Sequence, residues 1–269
     1  MQIAGREFDL KHNNIYIFGI LNVTEDSFSD GGKYRSVDNA LKRAGEMIAE
    51  GADIIDIGGE STRPGFSPVE ADREIEAVLP VIEALKREYD IPVSLDTRKA
   101  SVALAGVNAG VDIINDVDGL KGDLGMAQVI ANAGVPCVLM HNRDNRDYVN
   151  LIDEMIKDLE CTLDIAFNAG IDQDKIILDP GIGFAKDTAQ NLVVLNNLER
   201  FAELGYPVLL GHSRKSVIGN TLDLPVEDRL EGTLALTALA AFKKCSFVRV
   251  HDIKANKRVL DMLKGVFNS

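Results

Sequence analysis

Short runs rich in isoleucine and valine recur along the whole chain, and between them the apolar positions switch to steps of three and four. The runs are IYIFGILNV from Ile15, DIIDIG from Asp53, PVSLDT from Pro92, DIINDV from Asp112, VPCVLMH from Val135, KIILDP from Lys175, YPVLLG from Tyr206 and SFVRVH from Ser246. Each is apolar nearly throughout, as a strand covered on both faces should be. After the first run, Val37, Ala40, Leu41, Ala44, Met47 and Ile48 fall on one stripe of a helix. Ser67-Pro68-Val69-Glu70 reads as a helix start, with an N-cap serine, a proline in the first helical position and a glutamate reaching back. Strand and helix alternating eight times predict a parallel sheet, and repeated right-handed crossovers close it into a (β/α)8 TIM barrel. An open doubly wound sheet is the rival arrangement. It would need fewer strands or a second domain, and no Pro/Ser-rich linker or break in composition sets one apart. Residues 1–269 are therefore read as one α/β domain.

Composition narrows the picture. With 46% hydrophobic and 26% charged residues the chain has ample material for a large core. A net charge of −13 repels polyanions and argues against nucleic acid or an acidic membrane surface as partner. The opening MQIAGREFDLKHNN has no apolar signal region, and the longest apolar stretch, residues 234–242, falls far short of the ~20 residues of a membrane helix. A cytoplasmic protein with no membrane partner is expected. Cys137, Cys161 and Cys245 are odd in number and widely spaced, which points to reduced packing residues rather than disulfides or a zinc site.

In such barrels the substrate sits at the strand C-termini, so the polar residue that follows each run carries the information. The runs end at Asn22, at Asp56, at Asp96, at Asn115 and Asp116, at His141, at Asp179, at Ser213-Arg214-Lys215, and at Arg249 and His251. One aspartate after a strand is ordinarily a turn or cap residue, but capping alone does not explain eight polar ends. Arg63, Lys215, Arg249 and His251 supply positive charge, and the loops after the seventh and eighth strands are the usual phosphate position of this fold. Guanidinium forks and a helix beginning near Ser213 suit an anion. Asp96, Asn115 and Asp179 supply acceptors and an amide that suit the edge of a flat nitrogen heterocycle. No GxSxG elbow or hydrolytic triad is present. The polar loop from Asn22 to Gly32 reads as a lid, and Gly181-Ile182-Gly183 alone is a weak phosphate cradle.

Taken together, GILNVTEDSFSDGG from Gly19, GGESTRPG from Gly58, SLDT from Ser94, INDV from Ile114, DPGIGFAK from Asp179, SRKS from Ser213 and RVHD from Arg249 resemble the dihydropteroate synthases, a pterin-binding enzyme family. The resemblance spans Gly19 to Asp252. It implies a transferase of folate synthesis in which p-aminobenzoate displaces diphosphate from 6-hydroxymethyl-7,8-dihydropterin diphosphate. Carried over by residue, Asp96, Asn115, Asp179 and Lys215 would hold the pterin. Arg63, Arg249 and His251 would hold the diphosphate, and Asn22 would sit by a magnesium ion (Mg2+). Thr62, Pro64, Phe28, Phe184 and Ser216 would shape the p-aminobenzoate pocket. Asp96, Lys215, Arg249 and His251 are the residues expected to act in catalysis. The resemblance also implies a homodimer joined through the later helices, and a family of sulfonamide targets.

Three positions depart from the family pattern. Glu25 stands where proline is usual, His212 precedes Ser213 where a small or uncharged residue is usual, and NRDNRDY after His141 lacks a common Gly/Pro pattern. They bear on the lid and on p-aminobenzoate affinity rather than on the chemistry. Two other readings share the pterin trio. A methyltransferase acting on methyltetrahydrofolate has no diphosphate to expel, so Arg249, His251 and the loop from Asn22 speak against it. A non-catalytic pterin sensor should have lost charged site residues, and none is missing. Arg249→Ala is expected to lower turnover strongly and leave the fold intact.

Overall fold

The computed structural model describes residues 1–10, 14–23, 32–60 and 69–269. A two-residue hairpin, β1 (Gln2–Ile3) and β2 (Arg6–Glu7), precedes the barrel. Each of the eight apolar runs then forms one barrel strand: β3 (Tyr16–Asn22), β4 (Ile54–Gly58), β5 (Val93–Asp96), β6 (Ile113–Asp116), β7 (Cys137–Met140), β8 (Ile176–Asp179), β9 (Leu209–Gly211) and β10 (Phe247–Val250). They pair in parallel in the order β8-β7-β6-β5-β4-β3-β10-β9. A single bridge between Leu178 and Val208 joins the two ends, and the Leu178 N–H donates to the Pro207 carbonyl at 2.9 Å across that seam. The predicted closed barrel is the observed one.

Helices follow the strands: α1 (Gly32–Glu50), α2 (Ala71–Glu88), α3 (Ala100–Asn108), α4 (Met126–Ala133), α5 (Leu151–Ala169), α6 (Thr188–Asn196) with the short α7 (Leu198–Ala202), α8 (Ser216–Leu222) with α9 (Leu230–Phe242), and α10 (Ile253–Phe267). The apolar stripe of α1 packs inward as its spacing predicted, with Ala40, Ala44 and Met47 buried and Val37, Leu41 and Ile48 beside them. Apolar side chains form two cores. The larger lies between strands and helices, and the smaller fills the barrel interior with Phe18, Ile54, Ile113, Val138, Ile177, Leu209 and Phe247.

Two expectations change, and the opening segment adds an unpredicted element: Ala4 and Gly5, with φ of 51° and 73°, make a turn whose twist suits a hairpin, and Ile3 and Phe8 plug the bottom of the inner core. Helix α2 starts at Ala71 rather than near Pro68; Glu70 is extended at φ −63°, ψ 143° and makes no cap bond. The Val69 N–H, which that capping arrangement would have placed in the first turn, donates instead to the Glu60 carboxylate at 2.9 Å. Ser67 and Pro68 lie outside the described residues. Cys137 and Cys245 are buried, but Cys161 is exposed, because it falls on the side of α5 opposite Met155, Leu159 and Thr162.

Candidate active site

Successive side chains of a strand point to opposite faces, so every second residue of a barrel strand enters the interior. Two positions beyond the inner apolar layer come Ile20, Asp56, Asn115, Met140, Asp179, Gly211 and Arg249, with Asp96 at the matching end of β5. The interior thus changes from apolar to polar within one pleat. Above it opens a cavity of about 420 Å³ lined by Asn22, Asp96, Asn115, Asp179, Phe184, Ser213, Lys215, Ser216, Arg249 and His251, with Ile20, Val117 and Met140 as apolar wall. Every described residue that the sequence assigned to substrate, catalysis or metal lines this one cavity. Phe28, Thr62, Arg63 and Pro64, together with Glu25 and most of the expected lid, lie outside the described residues.

The charges at the floor are arranged in pairs. Arg249 Nε donates to Asp56 Oδ2 at 2.5 Å and its Nη2 to Asp96 Oδ2 at 2.6 Å. Both carboxylates are buried, and the second oxygen of Asp96, Oδ1, has no partner among the described residues. Burial, partly opposed by Arg249 and reinforced by Asp56, pushes the Asp96 carboxyl up to about 7. Burial lowers the pull of Arg249 on its proton, but the two carboxylates outweigh it and hold the guanidinium firmly charged. Asp179 accepts the Gly181 N–H at 2.7 Å, and burial raises its pKa despite Lys215 nearby. Lys215 Nζ donates to the Ile182 carbonyl at 2.5 Å and sits 4.8 Å from the centre of the Phe184 ring. Burial draws Lys215 down to about 8. Gly211 leaves space for this pair, since a Cβ there would come 3.3 Å from Asp179 Oδ2 and 3.7 Å from Lys215 Nζ.

The turn after β9 and the end of β10 are built as one unit. Ser213 Oγ lies 2.9 Å from His251 Nδ1 and accepts the His251 backbone N–H at 3.2 Å. Arg214, at φ 56°, forms a two-pronged ion pair with Asp252 at 2.9 and 2.7 Å, and its carbonyl accepts Arg229 Nη1 at 3.0 Å. Helix α8 begins at Ser216, three residues after the expected start near Ser213.

Some polar strand ends face the other way. Asp116 and His141 each follow an inward residue, so the pleat turns them outward. Asp116 accepts the N–H groups of Asp118 and Leu120 at 2.9 and 2.7 Å and organises its own turn. His141 is buried beside Asp158 and Lys186, and burial drives its pKa down to about 3. His212 is also buried outside the cavity, with its ring nitrogens 3.1 Å from the Leu210 carbonyl and 2.8 Å from Thr237 Oγ1. It has the structural role of a packed imidazole.

Sequence reading gave no role to Asp56, Glu60, Arg214 or Arg229. The signal for Asp56 was present: a carboxylate inside an apolar strand needs a cation within reach, and Arg249 is the inward cation of the same layer. For Glu60 and Arg229 no local signal exists, because both reach the cavity from loops and helices whose paths the pattern does not fix.

Comparisons with known proteins agree with the geometry. The Pterin binding enzyme family matches residues 18–251. The dihydropteroate synthase of Clostridium beijerinckii is 54% identical over 263 residues, 97% of each chain. Among solved structures, a dihydropteroate synthase from Clostridium difficile determined in the presence of pteroic acid has a TM-score of 0.93 at 46% identity, covering 96% of this chain and 98% of that one. One from Xanthomonas albilineans with 4-aminobenzoic acid has a TM-score of 0.92 at 41% identity, covering 98% and 96%. The chain belongs to the pterin-binding enzyme family and, within it, to the dihydropteroate synthases, the transferases of folate synthesis.

Proposed function

We propose that the pterin ring enters the cavity edge-on against Asp96, Asn115 and Asp179, while its diphosphate turns toward Lys215, Arg249 and His251. The observation that carries this reading is the convergence of buried acceptors, one with a free oxygen, and a cationic rim in one 420 Å³ space. In this reading Lys215 serves both halves, since its ammonium lies between the pterin acceptors and the anion. Ser216 and Phe184 line the side from which p-aminobenzoate approaches, and Phe28, Thr62, Arg63 and Pro64 are assigned to the same substrates.

The chemistry follows from where charge develops. The bond between the pterin methylene carbon and the diphosphate oxygen breaks, its electron pair leaves with diphosphate, and the arylamine nitrogen bonds to the carbon and releases a proton. Asp96 in its ionised form stabilises the positive charge that spreads over the pterin, and Arg249, His251 and Lys215 stabilise the departing anion. No protein nucleophile is needed.

Among the described residues no three His, Cys, Asp or Glu side chains cluster as a metal site. The Asn22 amide at the cavity mouth is a single hard oxygen donor and would be the side chain that holds a magnesium ion there. Such an ion supplies neutralisation of the leaving group. The homodimer assigned to the later helices is supported by exposed Phe242, Met262 and Val266 on α9 and α10. A cytoplasmic location is supported by the small soluble substrates; among the described residues no helix is long and apolar enough to cross a membrane.

The test is an assay with both substrates, with and without magnesium. Dihydropteroate and diphosphate should form in equal amounts and only with both substrates and the metal. Folded protein that makes no dihydropteroate, or that instead demethylates methyltetrahydrofolate, refutes the reading.

A further inference from the structure

Two loops meet beside the cavity, 142–150 after β7 and 180–187 after β8, and their contacts form a closed ring. The ring starts at the Phe184 carbonyl, which accepts Lys186 Nζ at 2.8 Å. The same ammonium lies 3.2 Å from His141 Nδ1, and His141 Nε2 lies 3.0 Å from Asp158 Oδ2. Asp158 accepts Arg143 Nε at 2.6 Å, and the Arg143 guanidinium lies 4.4 Å from the centre of the Tyr148 ring. Tyr148 closes the circuit by donating its hydroxyl to the Ala185 carbonyl at 3.1 Å. Two adjacent carbonyls, those of Phe184 and Ala185, are thus each held by a side-chain donor.

Two features show that the ring does more than fill space. Ala185 has φ 47°, a left-handed conformation that a residue with a Cβ keeps only where its surroundings impose it. Lys186 is 4% exposed and has no carboxylate in direct contact among the described residues. A lysine in such a place carries a desolvation cost that a surface loop would not normally retain without a positional role. What the ring positions is the Phe184 side chain, which lines the cavity and faces Lys215.

We infer that Tyr148 and Lys186 are positioning residues that fix Phe184 and through it the subsite for the arylamine substrate, and act on it more than on the pterin subsite built on the strands. The inference rests on the proposed assignment of Phe184 to p-aminobenzoate. The pterin acceptors Asp96, Asn115 and Asp179 project from strands; among the described residues the Phe184 loop bonds them through the Gly181 N–H, which lies outside the ring and donates to Asp179 Oδ1 at 2.7 Å.

The experiment is steady-state kinetics with both substrates varied, for wild type, Tyr148→Phe, Lys186→Met, Phe184→Ala and the double variant Tyr148→Phe/Phe184→Ala, each first checked by thermal melting. Tyr148→Phe deletes one hydroxyl and should fold. It should raise KM for p-aminobenzoate about fivefold or more, with KM for the pterin diphosphate within about twofold and kcat within about threefold. Lys186→Met should act in the same direction. In the Phe184→Ala background, Tyr148→Phe should add nothing, because its effect passes through that ring. Equal rises in both KM values, an unchanged KM for p-aminobenzoate, or full additivity in the double variant overturns the inference. Absence of dihydropteroate from the wild-type protein overturns the proposed function itself, and this subsite with it, and so differs from a failure of the ring alone.

Discussion

Arg249 holds its charge between Asp56 and Asp96, both buried, and this arrangement changes what its removal should do. Arg249→Ala should lower turnover by about 10²–10³-fold through lost stabilisation of the leaving anion. It also leaves two carboxylates without their cation, so the fold should lose about 3–5 kcal/mol. Urea unfolding checks this; an unchanged midpoint would show that the pair contributes nothing. Asp96 makes a second prediction. Burial holds its carboxyl up to about 7, and the proposed role needs the ionised form. Activity should therefore fall as pH drops below about 7, and Asp96→Asn should be nearly inactive with no such limb. A rate for wild type that stays flat from pH 8 to pH 5.5 would remove Asp96 from that role.

Helices and strands hold these residues through contacts that local pattern shows only in part. Asp187 caps α6 in a reciprocal box with Gln190, Asp187 Oδ1 accepting the Gln190 N–H and Gln190 Oε1 accepting the Asp187 N–H, both at 2.8 Å. Asp187→Ala should cost about 1 kcal/mol and be visible as a lowered Tm, with kcat little changed. His212 ties β9 to α9, and burial drives its pKa down to about 4 from 6.5. The sign follows from proton uptake: below about 6.5 the unfolded chain binds a proton there that the folded chain refuses until about 4. This residue therefore contributes stability above pH 6.5 that is lost as pH falls through that window. His212→Gln should make the loss of stability between pH 6 and pH 4.5 shallower than in wild type by about 1.4 kcal/mol per pH unit, and parallel curves would contradict the assignment.

At the scale of the molecule, closure of the barrel is uneven. Strands β3 and β4 pair over five registered positions, whereas β8 and β9 meet at one isolated bridge. Strand β9 is also the shortest in the barrel, spanning Leu209–Gly211. Opening should therefore begin at this seam. Hydrogen exchange should show the Leu178 amide and those of β9 exchanging before the amides of β4 and β5; the reverse order would place the weak point elsewhere. The seam lies beside the turn that presents Ser213, Lys215 and Ser216, so bound substrates that bridge β8 and β9 should slow its exchange.

The sequence by itself determined the strand count, the closed parallel sheet and the set of polar ends, because each depends on local periodicity and on which residue follows each apolar run. The hairpin plug, the late start of α2 and the exposed face of Cys161 depend on contacts distant in the chain, and the pattern missed or misplaced them. Tertiary structure alone decided which polar ends share a cavity: the pleat turned Asp96, Asn115, Asp179 and Arg249 inward and sent Asp116 and His141 out, though all six end apolar runs. It also decided that Asp56 restrains Arg249 and that Tyr148 and Lys186 grip the Phe184 loop. Those pairings join residues up to 193 positions apart, across a ring whose register is set by packing rather than by any one segment.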